Sequence, residues 1–337
     1  MASLVRGTVW IGLLLLVTRG GLAAERTLRM ANWVPPVHHM TQTLENWAAE
    51  VRKASGGTLD VEILKAPLAK PPGQYDLARN GVVDLAWGVP AYTPGRFPVI
   101  RLLELPFLSP NAELGSLALW HWYERNGLID KEFGDTKLIA LWVHGPGVLH
   151  TKTPVSTLAD LQGMKLRVGG GGVALAAKLG AVPVALPATE AHESLQRGIT
   201  SGTLFPWEAI KGFRLAELVR YHLEVPGGLY TTPFYLVMNR RSWDSLSPAQ
   251  QEALRKVGGA WGSRFIGKHW DMADLAGKQL AQANGNTIRT IDAAELARWR
   301  QRLQPLFDEW VAQINKAGYD GQALLADLEA AMREYAH

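Results

Sequence analysis

The stretch "LRVGGGGVALAAKLG", residues 166 to 180, sets Arg167 just ahead of four glycines and a helix-compatible run. Two chemistries fit that order. Gly169, Gly171 and Ala174 satisfy a loose dinucleotide spacing, in which backbone N–H groups cradle a pyrophosphate and Glu190, about twenty residues on, takes a ribose. Alternatively, Arg167 ends a strand and presents a planar fork that matches a carboxylate with two parallel hydrogen bonds. The N–H groups of Gly169 to Gly172 and the helix start would then serve the same anion. The strand argues against the nucleotide: Lys165 and Arg167 alternate where a cofactor-binding first strand is a buried apolar run, and Pro183 and Pro187 flank the next one. For an arginine in isolation, a structural ion pair is the plain alternative.

Other reactive side chains are sparse. His38 and His39 are adjacent, a spacing that rarely brings both imidazoles to one ion, and no third ligand is spaced to help, so no metal is expected. His38 is a candidate hydrogen-bond donor to a ligand. The absence of a GxSxG elbow, an HExxH helix and paired carboxylates points away from an enzyme, with a dispersed triad acting on a carboxylate left as an alternative. With no cysteine, disulfides, thiolate metal sites and a cysteine nucleophile are excluded. The net charge of +4 is scattered, which argues against nucleic acid as a partner. Trp33, Trp87 and Tyr92 follow strand ends and are pocket candidates, whereas Trp120, Trp122, Trp261, Trp270, Trp299 and Trp310 fall in helical segments and read as core or bracing residues.

The elements that must position these residues alternate. Arg6 and the short apolar run Val9 to Val17, ending in small residues, read as a signal peptide over residues 1–24, so the mature chain is expected in the periplasm. Strands are expected at 27–33, 58–64 and 82–87 with helices between, then a helix at 111–126 and a strand at 137–143. That β-α-β rhythm implies a mostly parallel sheet that binds ligands beyond its strand ends. Gly145-Pro146-Gly147 marks the first domain crossing. A second α/β set covers 164–197, and 230–239 reads as a strand long enough to serve two lobes. Ser247-Pro248-Ala249-Gln250 is a capping box that starts a helix running towards Ala283. A strand at 287–291 and helices at 293–316 and 321–335 close the chain.

Five segments carry a family resemblance: "ANWVPPVHHMTQTLENWAAEVRKASGGTLDVEI", "DLARNGVVDLAWG", "TLADLQGMKLRV", "AVPVALPATEAHESLQRGITSG" and "YLVMNRRSWDSLSPAQQEAL". In order and spacing the chain resembles the DctP-like solute-binding proteins of tripartite ATP-independent periplasmic (TRAP) transporters. The resemblance implies an α/β, two-lobed periplasmic binding protein fold with a hinge, a lobe-spanning strand and long C-terminal bracing helices. It also implies an organic acid held in the cleft by the arginine of the "GMKLRV" segment, here Arg167. The partners implied are the small and large membrane permease subunits; no cofactor is implied, and a monomer is expected. Lobe I is expected to comprise 25–146 plus about 236–283, and lobe II 147–235 plus about 284–337 with the bracing helices. A periplasmic ligand sensor of the same fold is the alternative role.

Departures from the family pattern bear on the ligand. The second arginine that sialic-acid binders carry is missing from "HGPGVLH", and the usual "DGQENP" is "SGTLFPW", which puts Phe205 where a polar asparagine is common. Losing a charge and an amide while gaining Phe205 and Trp207 disfavours a sugar acid and favours a monocarboxylate with a hydrophobic or aromatic body. The expected ligand-binding set is therefore Arg167, Phe205, Trp207, Trp33, Trp87, Tyr92, His38, Gly147, Gly169 and Tyr235. The plain reading of Phe205 and Trp207 is core packing behind the cleft.

Overall fold

A computed structural model describes residues 24–109 and 111–335, so the expected signal segment lies almost wholly outside the described residues. The strands are β1 (Arg26–Ala31), β2 (Leu59–Ile63), β3 (Leu85–Gly88), β4 (Thr136–Val143), β5 (Val148–Thr151), β6 (Lys165–Val168), β7 (Val182–Ala185), β8 (Gly202–Phe205), β9 (Tyr221–Glu224), β10 (Pro233–Asn239) and β11 (Thr287–Thr290). They form two sheets, ordered β2-β1-β3-β10-β4 and β11-β9-β5-β8-β6-β7. The chain passes from the first sheet to the second across Gly145-Pro146-Gly147, returns ahead of β10, and crosses again ahead of β11.

Every residue of β10 is buried, because the strand is central and antiparallel to both β3 and β4. Its regular pairing is confined to the first sheet. The upstream residues expected to carry it into the second lobe form a connector instead, in which Leu229 and Tyr230 exchange backbone hydrogen bonds with Gly147. Along β10 the side chains alternate: Phe234, Leu236 and Met238 pack with Trp47 and Trp87, whereas Tyr235 and Val237 pack with Tyr75 and Phe97 on the opposite face.

The helical third departs from expectation at two breaks. The capping box at Ser247 and Gln250 is present, but that helix ends at Val257. Gly259 then adopts φ +56°, which only glycine takes at little cost, and a second helix runs Gly259–Ala283. The expected helix over 293–316 is likewise two, Ala293–Leu303 and Pro305–Lys316, because Pro305 cannot donate to a continuing helix and starts a new one. The Gly259–Ala283 helix lies against β4 and the Ala112–Arg125 helix on one side and the short Glu208–Gly212 helix on the other. Its Asp271 carboxylate accepts from the N–H groups of Ala112 and Glu113, and Asp274 accepts from the N–H of Glu208 at 2.7 Å. One helix therefore caps the start of two others, one beside each sheet.

Candidate functional site

Between the two sheets lies a cavity of about 570 Å³, counted out to its mouth. Arg167, at the carboxyl end of β6, enters it and is only 1% exposed. Its Nε and Nη2 both donate to the carbonyl of Leu186, at 3.0 and 2.7 Å, and its guanidinium lies 4.2 Å over the ring of Phe205. Among the described residues no carboxylate comes within ion-pair distance of it. Burial draws its pKa below the ordinary arginine value, opposed by the nearby Tyr92 and Tyr230, but a guanidinium keeps its charge. A buried cation without a counter-ion is costly, and an anion entering the cavity would remove that cost.

The rest of the cavity is walled by rings. Trp33 lies tilted against Trp87 at 4.6 Å and meets Tyr92 edge-on at 6.5 Å; Phe234 lies 4.8 Å from Trp270; Phe205 stacks on Phe213 at 5.5 Å. His144 also lines it, held neutral with a pKa lowered by burial to about 4. The two sides meet closely. The Tyr92 hydroxyl accepts from the N–H of Ala188, and a Cβ on Gly171 would fall 2.2 Å from the Glu104 carboxyl carbon, while one on Gly170 would fall 2.8 Å from the carbonyl of Ala91. The glycines after Arg167 are thus a seat for the opposing lobe and not a pyrophosphate cradle.

Away from Arg167 the cavity is lined by Glu208 and His38, both nearly fully buried. His38 Nε2 stands 3.2 Å and His39 Nε2 3.6 Å from Glu208 Oε2. The third group that sequence spacing could not supply next to His38-His39 is therefore present, contributed from across the cleft, and the three offer a compact set of potential metal-binding atoms. The Nδ1 of His38 accepts from the N–H of Met40, so the neutral ring carries its proton on Nε2, facing Glu208. Ligating an ion through Nε2 would cost that helix cap. Burial, with His38 second, lowers the His39 pKa well below its ordinary value.

Of the residues expected at the site, Arg167, Phe205, Trp33, Trp87, Tyr92, His38 and Gly169 line the cavity together. Three do not. Tyr235 faces the opposite side of the first sheet, packed on Tyr75 at 5.4 Å and Phe97 at 5.8 Å, and its neighbour Phe234 takes the cavity side. Trp207 turns behind the second sheet, where its Nε1 donates to Glu224 and its ring lies 4.8 Å from His222. Gly147 supports the site from outside: a Cβ there would fall 2.3 Å from the ring of Tyr230, which does line the cavity. Glu208, Phe213, Tyr230, Phe234 and Trp270 went unforeseen. Phe234 lies on the opposite phase from Tyr235, and a strand buried on both faces does not show which phase meets the cavity. Trp270 sits on the buried stripe of a helix, indistinguishable in sequence from core.

The family model of DctP, bacterial extracellular solute-binding protein family 7, matches residues 30–313. Three solved structures superpose over nearly the whole chain. A TRAP solute-binding protein from Rhodoferax ferrireducens T118, in complex with copurified benzoate, is 36% identical with a TM-score of 0.88 over 92% of this chain and 98% of its own. A TRAP periplasmic solute-binding protein from Bordetella bronchiseptica with bound (R)- and (S)-mandelate is 33% identical, with a TM-score of 0.88 over 92% and 99%. A marine metagenome TRAP solute-binding protein specific for aromatic acid ligands, in complex with 3-hydroxybenzoate, is 32% identical, with a TM-score of 0.89 over 94% and 100%.

Proposed function

Because this chain belongs to the DctP family of bacterial extracellular solute-binding proteins, we propose that it captures an aromatic or hydrophobic monocarboxylate between its two lobes and delivers it to a TRAP membrane permease. The observation that carries the ligand class is the buried guanidinium of Arg167, without a protein carboxylate, facing a cavity walled by aromatic rings. The carboxylate docks on Arg167, with Tyr92, Tyr230 and the N–H groups from Gly169 onward beside it. The organic body then lies among Trp33, Trp87, Phe205 and Phe234. The aromatic-acid complexes of relatives 32–36% identical support the same class.

Closure follows from differential contact. Groups on both sides of the cleft touch the ligand only when the lobes meet, so ligand shifts the population towards the closed form. Micromolar affinity needs about 8 kcal/mol, which one charge-assisted pair and one buried ring supply after ordering costs. This is binding chemistry, in keeping with a family of transport proteins that bind substrates. The expected break at 235/236 would divide β10, whose pairing from Pro233 onward is all in the first sheet, so we place lobe I at 25–146 plus about 233–283 and lobe II at 147–232 plus about 284–337, and place the protein in the periplasm. Among the described residues no helix is long and apolar enough to cross a membrane.

Isothermal titration of the mature protein against benzoate, phenylacetate, mandelate, succinate and a sugar acid tests the proposal. Micromolar or tighter binding of an aromatic monocarboxylate is expected. Binding of succinate or the sugar acid alone would overturn the ligand class.

A further inference from the structure

Glu208 is a buried carboxylate in a cavity meant for an anion, and nothing in the binding scheme above uses it. It is 3% exposed; its Oε2 is enclosed beside the two imidazoles, with His38 Nε2 at 3.2 Å, and among the described residues its Oε1 receives no hydrogen bond. A buried carboxylate oxygen left without a donor is expensive unless something completes it. Its backbone is fixed from behind by Asp274, and its side chain is flanked by His38 and His39, so the free acceptor end is held in place.

Its position relative to Arg167 can be traced through contacts. The guanidinium lies over Phe205, Phe205 stacks on Phe213, Phe213 meets His38 at 4.8 Å, and His38 Nε2 lies 3.2 Å from the Glu208 carboxylate. This path along the cavity wall runs through two aromatic rings and an imidazole, and Glu208 makes no ion pair with Arg167. Glu104 is the other lining carboxylate, but Arg101 donates to it and it rests against Gly171 on the Arg167 side. Its Oε1 is also buried without a donor, but its place against Gly171 puts it at the Arg167 end of the cavity.

Resting on the aromatic-acid reading, we infer that Glu208 determines specificity: it accepts a hydrogen bond from an O–H or N–H group on the ligand's ring, remote from the carboxylate held by Arg167. The substrate class narrows to hydroxylated or amino-substituted aromatic acids. An unsubstituted ring of the same size fills the walls but leaves the carboxylate bare, and a site built around a polar partner discriminates against a ligand lacking it.

Titration calorimetry with matched ligands tests this, in buffer containing EDTA. The pairs are 3- and 4-hydroxybenzoate, 3- and 4-aminobenzoate and the corresponding hydroxyphenylacetates, each against its fluoro analogue, which has similar size and no donor. The best donor-bearing acid is expected to bind about 10- to 100-fold tighter than its fluoro partner. In Glu208→Leu, which keeps the backbone bond to Asp274, that ratio should fall to about threefold or less while the fluoro acids bind at least as well. Equal affinity within every pair in the wild-type protein would overturn the inference, with no variant needed. So would a preference that survives Glu208→Leu. A preference seen without EDTA and lost with it would also overturn it, because a bridging cation would then make the contact. Failure of every aromatic acid to bind is a different result, and it sinks the aromatic-acid reading itself.

Discussion

Replacing Arg167 by methionine separates the demands of binding from those of folding. The side chains are similar in length, and the change removes the charge, the two donors to Leu186 and the contact with Phe205. Binding loses a bidentate charge-assisted pair, about 1.5–3 kcal/mol per hydrogen bond, so Kd should rise by roughly 10²–10⁴-fold. Stability moves differently. The empty protein no longer buries an uncompensated cation, a saving of several kcal/mol, against about 1–3 kcal/mol for the stranded Leu186 carbonyl and about 2 kcal/mol for the lost ring contact. The two sides nearly cancel, so urea unfolding without ligand should give a free energy within about 2 kcal/mol of wild type, of either sign. Calorimetry on the same samples should show binding gone. A Kd within about threefold of wild type would refute the role of Arg167, and a loss of more than about 4 kcal/mol in the empty variant would recast it as a structural residue.

Acid should weaken the fold through buried histidines. Burial lowers His144 and His222 to about 4 and His150 well below its ordinary value, so from neutral pH down to about 4 the unfolded chain binds protons that the folded one refuses. Each such histidine contributes stability that is full above about pH 6.5 and falls by about 1.4 kcal/mol between pH 7.5 and 5.5, while the buried Asp274, whose pKa burial raises, contributes in the opposite sense; His144→Gln should therefore flatten the loss of urea stability in acid, and an unchanged slope would contradict the assignment. Gly171→Ala places a methyl against the Glu104 carboxylate, so the lobes should meet less well: ligand affinity should drop about tenfold or more with unfolding unchanged, and equal losses in both would deny that the glycine serves closure. Trp207→Phe removes the donor to Glu224, which Lys278 still holds at 2.6 Å; it should cost about 1 kcal/mol in stability and leave Kd within about twofold, and a large affinity loss would return Trp207 to the site.

Arg167 stood out as a charge ending a short strand ahead of glycines, a position that a structural ion pair could also explain, and the resemblance of the "GMKLRV" segment favoured the ligand role. Trp33, Trp87 and Tyr92 were legible because strand ends in an open α/β sheet point at its crevice. Tyr235 failed by one residue, since a fully buried strand has no polar phase to reveal which side is which, and the cavity took Phe234. Glu208 was hidden by its setting: an acid at the start of a helix reads as an ordinary favourable N-terminal charge, and only the fold brings His38 and His39, some 170 positions away, against it. The breaks at Gly258-Gly259 and Pro305 were written in residue types that punctuate helices, but apolar periodicity continues through both.

The two capping aspartates of the Gly259–Ala283 helix, three positions apart, constrain how the cleft opens. Asp271 holds the helix that begins at Ala112, and Asp274 holds the chain at Glu208. A motion that keeps both caps must turn about a point close to them. Trp270 immediately precedes the first of them, and the Tyr92–Ala188 contact joins the two sides beside Arg167. Opening is then a lever whose arm lengthens from the Glu208 end towards the Arg167 end, so the carboxylate of a captive acid would be freed first and its ring last. An optical reporter near Trp270 would register little of that swing, and one attached beyond Tyr92 would register most of it.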